Sequence, residues 1–317
     1  KRVYCCNTPI SISKDSSPMK ISYLEPARGE NNQFWRYALT IIAILWFTFG
    51  AGLVLAVIAI AVEGSADLAT YSNFTMLLLT MLPFPVALLV LWGGLRLLHR
   101  RGLMSLLRPG GSFSWGKFWT SAGIWFLLAG ASDLIIWLTN PANYTFSFNP
   151  AAFFPFMLLA LILVPIQTST EELIVRGYLT QWVGRYSRKI WLPLILPSLA
   201  FMLMHGLNPE VTAYGAALTL PLYLGTGLLL AWLTLKSGGL EMALGLHAAN
   251  NIYATLVVTF PNTALPSPAL FSVQVYDPVM ALIQQAVVMA LYLGIIYIWR
   301  RGWLSPVQNT DLVVAEA

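Results

Sequence analysis

Residues able to do chemistry are few in this chain, and those set in apolar surroundings fall into three short patterns. The first is Glu171-Glu172-Leu173-Ile174-Val175-Arg176. On a helix Glu172 and Arg176 lie one turn apart on one face and can pair. Glu171 is turned about 100° away and is free to face another partner. Two adjacent carboxylates in an apolar setting repel, which suits one of them to take a proton as a general base. The plainer reading is a charged helix end at a membrane surface. The second pattern is Phe201-Met202-Leu203-Met204-His205, whose histidine reads equally as a hydrogen-bonded structural residue. The third is His247-Ala248-Ala249-Asn250-Asn251. His247 and Asn251 share a helical face and Asn250 lies near it, a set of hydrogen-bond donors or of interhelical ties.

The chain that must position these groups is not an ordinary soluble one. Of its 317 residues 57% are hydrophobic and 10% charged, where soluble chains carry about 25% charge. That balance excludes a disordered chain, a coiled coil and a soluble α/β enzyme, and points to an all-α, polytopic transmembrane bundle. The only cysteines are Cys5 and Cys6, so neither a disulfide framework nor a membrane-embedded Cys nucleophile is available. A net charge of +5 does not imply nucleic-acid binding, because the bases are scattered between apolar runs. Residues 1–18 differ in character from the segment that begins at Met19 and are expected to be an extension of the protein proper; no signal peptide is expected.

Eight apolar stretches stand out, at about 35–62, 72–98, 117–139, 151–170, 191–206, 212–235, 239–260 and 278–299. A spanning helix needs about 20 such residues, and 151–170 and 191–206 are the weakest candidates. Threading eight spans from a cytoplasmic N-terminus puts every Lys and Arg on the inner side. The outer segments carry Glu63, Asp67, Glu210 and Asp277 instead. The expected organisation is a cytoplasmic tail over 1–33, a membrane domain over 34–302 and a cytoplasmic tail over 303–317, in the cell membrane with both termini inside. The lipid bilayer is one partner and a peptide or protein substrate the other.

The three patterns in order, EExxxR, FxxxH and HxxxN on the fourth, fifth and seventh apolar stretches, resemble the CAAX protease and bacteriocin-processing family of intramembrane proteases. The resemblance covers about 118–260. It implies an endopeptidase acting on membrane-associated or prenylated-type peptides, with no cofactor. Glu171 and His205 would activate a water, His247 and Asn251 would stabilise the oxyanion, and Glu172 and Arg176 would support the site. The chemistry agrees, since with no Cys and no G-x-S-x-G serine available, water is the natural nucleophile.

Two other readings stay open. Glu171, His205 and His247 form a His₂Glu set of the kind that binds catalytic zinc, although HExxH is absent. Intramembrane Asp133, Glu and His, with Gln284 and Gln285, also suit a transport or bacteriocin-immunity protein without catalysis. Asp133 is expected to be a buried packing residue. Glu241 is expected to complement the helix dipole at the start of its helix, outside the site.

Overall fold

A computed structural model of the chain describes residues 23–187 and 189–304. The segment 1–18, both cysteines, Lys20, Arg188 and the tail from 305 lie outside the described residues. The described part is a helical membrane bundle. Its helices are α1 (Phe34–Glu63), α2 (Asn73–Met81), α3 (Pro83–Leu97), the short α4 (Met104–Leu107), α5 (Trp115–Thr139), α6 (Pro150–Glu172), α7 (Thr180–Tyr186), α8 (Trp191–Met204), α9 (Pro209–Tyr214), α10 (Ala216–Ser237), α11 (Glu241–Leu256) and α12 (Pro278–Trp299). A small sheet of β1 (Tyr144–Phe146), β2 (Val258–Thr259) and β3 (Phe271–Val273) has the order β1-β3-β2, with β1 antiparallel and β2 parallel to β3.

All eight apolar stretches are largely helical, and among the described residues six helices are long and apolar enough to cross a membrane. The stretches at 191–206 and 239–260 become α8, with 14 residues, and α11, with 16. At 1.5 Å per residue these reach about 21 and 24 Å, short of the roughly 30 Å hydrocarbon core. The first runs through Pro193 and Pro197 and ends at Met204, and the second carries His247, Asn250 and Asn251. The stretch at 72–98 bends at Leu82, where α2 gives way to α3 beginning at Pro83.

The bundle is apolar outside as well as inside, as lipid requires. Trp46, Val57, Leu97, Leu127 and Ile298 are exposed on its surface. The polar contacts gather at two ends. At one end the basic segments meet. Tyr23 Oη donates to the Leu106 carbonyl, Gln181 Nε2 to the Tyr23 and Ser105 carbonyls, and Arg101 Nη1 to Gln181 Oε1. Arg108 Nη1 donates to the Ser237 carbonyl, and Lys117 Nζ lies over the Trp303 ring. At the other end Asp133 accepts from Tyr253 Oη at 2.8 Å, Gln284 Nε2 at 3.0 Å and Tyr144 Oη at 3.2 Å. Asp133 is half-buried rather than buried, and it ties α5 to α11, α12 and β1.

Helices α5 and α11 lie closest of all at Gly245. A Cβ placed there would sit 2.1 Å from the Phe118 carbonyl oxygen, a backbone atom that cannot swing away. Gly245→Ala is therefore expected to force the two helices apart and cost about 1–3 kcal/mol of stability, the usual range for overpacking. Thermal unfolding in detergent reads this directly, and a wild-type midpoint would show that the contact tolerates a methyl group.

Candidate active site

The fourth apolar run does not stop at its charges. Helix α6 passes into a π-helical turn, Leu173–Leu179, and continues as α7, so that Pro150–Tyr186 is one rod of 37 residues. The plainer reading of the first motif, a charged helix end at the surface, is thereby overturned. Glu171 is 5% exposed, and Glu172 and Arg176 not at all. The π turn immediately follows the two glutamates, and such turns often occur at functional sites.

Arg176 Nη1 donates to Glu172 Oε1 at 2.7 Å, the pairing that the four-residue spacing predicts. The same oxygen accepts from His247 Nδ1 at 2.7 Å. A carboxylate paired with arginine has no proton to give, so Nδ1 is the donor, and this fixes which nitrogen of His247 faces onward. His247 Nε2 then lies 3.6 Å from Glu171 Oε2. That oxygen is buried and has no hydrogen-bond partner. The Arg176 guanidinium also stacks over the Phe201 ring at 4.1 Å, which compensates part of its charge in a buried setting.

Helix α11 delivers the amides. Asn251 Nδ2 donates to Gln167 Oε1 at 3.1 Å, and Asn250 Nδ2 donates to Asn251 Oδ1 at the same distance. Gln167 lies one turn before Glu171 on α6 and is buried. The motifs do not include it, although a Gln one turn from a Glu within an apolar run is a signal that could have found it.

His205 reaches the site differently. It is the C-cap of α8 rather than a residue within it. Its Nδ1 contacts the Phe201 carbonyl at 2.7 Å. A carbonyl only accepts, so Nδ1 carries the proton and Nε2 is the acceptor in the neutral ring. Its ring lies 4.4 Å from the Phe201 ring, which is itself 5.9 Å from that of His247. On its other side His205 stacks on Tyr223 at 4.2 Å and 23°. Tyr223 Oη donates to Glu210, and Asn208 Nδ2 donates to Tyr223 Oη at 2.9 Å. Glu210, which the charge pattern assigns to an outer segment, is buried on the short α9 between α8 and α10, where Tyr223 and Asn208 hold it.

The structure thus brings Glu171, Glu172, Arg176 and His247 into one set and pairs Asn251 with Gln167 one helical turn away along α11 and α6. His205 borders that set through Phe201 and makes no ion pair with Glu171. Among the described residues no three His, Cys, Asp or Glu side chains group closely enough to hold a metal ion. Glu241 stands apart, as expected. It lies in the first turn of α11, accepting from the Ser114 backbone at 3.2 Å and facing Arg108 at 3.4 Å.

A third histidine, His99, belongs to none of the motifs. It is buried between Asn32 Oδ1 and Tyr178 Oη, each at 2.7 Å, just past the end of α3. Burial and then the charge of Arg101 push its pKa down to about 4. It is a neutral strut linking the N-terminal segment to the π turn.

No solved structure matches this chain. Residues 150–253, which hold all three motifs, match the family described as type II CAAX prenyl endopeptidase Rce1-like. An uncharacterized protein of Bacillus subtilis (strain 168), YyaK, is 31% identical over 268 residues, covering 81% of this chain and 89% of that protein. The similarity runs well beyond the motifs into the surrounding bundle, and the chain belongs to the Rce1-like type II CAAX prenyl endopeptidase family of multi-pass membrane proteins.

Proposed function

We propose that this chain is an intramembrane endopeptidase that hydrolyses a peptide bond with water, Glu171 acting as general base. The observation that carries this reading is the buried, partnerless Glu171 Oε2 beside His247 Nε2. Its neighbour Glu172 also has a buried Oε2 without a partner, but its Oε1 is held by both Arg176 and His247, whereas no side chain hydrogen-bonds to Glu171. A buried carboxylate oxygen without donors costs the fold free energy, and it is the group best able to accept a proton from a bound water.

In this mechanism Glu171 removes a proton from water as the oxygen adds to the scissile carbonyl. His205, with its Nε2 free to accept, shares the hold on that water. The negative charge that develops on the carbonyl oxygen is met by Asn251 Nδ2–H and by His247 Nε2 when it carries a proton. Glu172 and Arg176 orient His247 from behind. Collapse of the tetrahedral intermediate breaks the C–N bond, and Glu171 returns its proton to the departing amine. No step requires a metal.

The proposed substrates are membrane-associated peptides, with a prenylated CAAX tail as the first class to try because of the family. The test uses purified protein in liposomes with a quenched fluorescent peptide ending in a prenylated CAAX box, and the unprenylated peptide beside it. Wild type is expected to cleave the first, and Glu171→Gln neither. A zinc chelator is expected to leave turnover unchanged. Stoichiometric zinc in active protein, lost together with activity in His247→Gln, would replace the water-only mechanism with a metal one. Equal biological activity in wild type and Glu171→Gln would favour the transport or immunity reading.

The same reading places both termini in the cytoplasm, supported by the one-sided Lys and Arg distribution and by the meeting of the basic segments at one end. Reporter fusions after Ala66 and Thr263 are expected outside, and one after Arg108 inside. A cytoplasmic signal at Thr263 would sink this topology.

A further inference from the structure

One indole and three amides form a continuous chain of hydrogen bonds across α5, α11 and α6. Trp125 Nε1 donates to Asn250 Oδ1, Asn250 Nδ2 to Asn251 Oδ1, and Asn251 Nδ2 to Gln167 Oε1, each at 3.1 Å. The chain has a direction, and chemistry fixes it. An amide can turn either its oxygen or its nitrogen to a neighbour, but an indole N–H can only donate. Trp125 is buried and set edge-on against Tyr292, with ring centroids 5.7 Å apart and planes at 70°. It therefore holds the oxygen of Asn250 toward itself. The nitrogen of Asn250 must then face Asn251, whose oxygen is consumed. What Asn251 has left to present toward α6 is its NH₂. One of the two hydrogens goes to Gln167, and the other is available to a ligand. Were the relay reversed, Asn251 would present a carbonyl oxygen to the developing negative charge and repel it.

We propose that Trp125 and Asn250 are positioning residues that set the polarity of this relay, so that Asn251 always meets the reacting carbonyl as a donor. Gln167 holds the angle of that donor from α6. An oxyanion donor contributes most when it is aligned before the reaction begins. Here the alignment is anchored in the α5–α11 interface, whose spacing Gly245 keeps small. The inference rests on the reading of Asn251 as an oxyanion donor.

The test is a set of turnover measurements on the quenched prenylated peptide. Asn251→Ala is expected to lower kcat by about 10²–10³ with little change in KM. Asn250→Asp still accepts from Trp125 but as a carboxylate cannot donate to Asn251, and kcat is expected to fall about 10-fold or more at unchanged KM. Trp125→Phe keeps the ring against Tyr292 and removes only the N–H, with an expected fall in kcat of about 3- to 10-fold, the worth of one hydrogen bond. Neither change is expected to lower kcat further when added to Asn251→Ala, since the group they orient is gone. A purely structural role would give the same loss in both backgrounds, or a loss confined to yield or KM, and would overturn the relay. Full turnover in Asn250→Asp and Trp125→Phe would do the same. Unchanged kcat in Asn251→Ala itself would instead remove the reading of Asn251 on which the relay depends.

Discussion

Glu171→Gln is expected to abolish peptide cleavage while leaving the amount and thermal stability of the folded protein close to wild type. The substitution preserves size and replaces a carboxylate that no side chain pairs by hydrogen bond. The nearest basic group, His247 Nε2, lies 3.6 Å away, beyond hydrogen-bond distance, so replacing the carboxylate by an amide is expected to cost the fold little. The chemistry loses its proton acceptor. Positioned general bases contribute about 10²–10⁴ in rate, and here the same group also returns the proton to the leaving amine, so the upper part of that range is expected. The check is kcat on the quenched peptide beside a melting curve. A variant that melts much lower, or that still turns over at a tenth of the wild-type rate, would assign Glu171 to structure.

Arg176→Ala is expected to do the opposite and damage the fold first. Arg176 is fully buried, donates to Glu172 at 2.7 Å and covers the Phe201 ring at 4.1 Å. Its removal leaves Glu172 buried with only His247 to answer its charge. Breaking a buried pair from one side typically costs about 3–5 kcal/mol, and the lost stacking adds to it. Activity should fall as well, because Glu172 sets the orientation of His247. Glu172→Gln/Arg176→Met, which removes both charges, is expected to recover much of the yield but not the turnover, since His247 then lacks its carboxylate. Yield, melting temperature and kcat, measured for the three proteins, separate these effects. Normal stability in Arg176→Ala would mean that Glu172 finds another partner.

The two experiments separate adjacent glutamates that the sequence makes look alike. Their spacing to Arg176 is enough to pair Glu172 and to leave Glu171 turned aside. It does not say that the oxygen accepting from Arg176 also accepts from His247, 75 residues later. That contact depends on how α11 lies against α6.

The sequence by itself determined the membrane class, the helical composition and which charged residues lie within apolar runs. Each of these rests on local physics. Apolar runs without alternation must be helices in lipid, and charges within them are too costly to be incidental. The order of EExxxR, FxxxH and HxxxN was likewise sufficient to indicate the family. The lengths of the shorter helices were not legible, because a run of apolar letters at 191–206 does not reveal that the helix ends at Met204, with His205 as its cap. The sequence did not show that Glu210 is buried, because the partner that holds it, Tyr223, lies 13 residues away on the next long helix. Nothing in its sequence context sets Trp125 apart from the other eleven tryptophans. Only the tertiary structure decided that His247 bridges both glutamates, that Tyr223 stacks on His205, and that an indole on α5 sets the polarity of the amides on α11. These are contacts between side chains on different helices. They depend on rotation and spacing between rods, which residues such as Gly245 adjust by fractions of an ångström and which no periodicity within a single helix records.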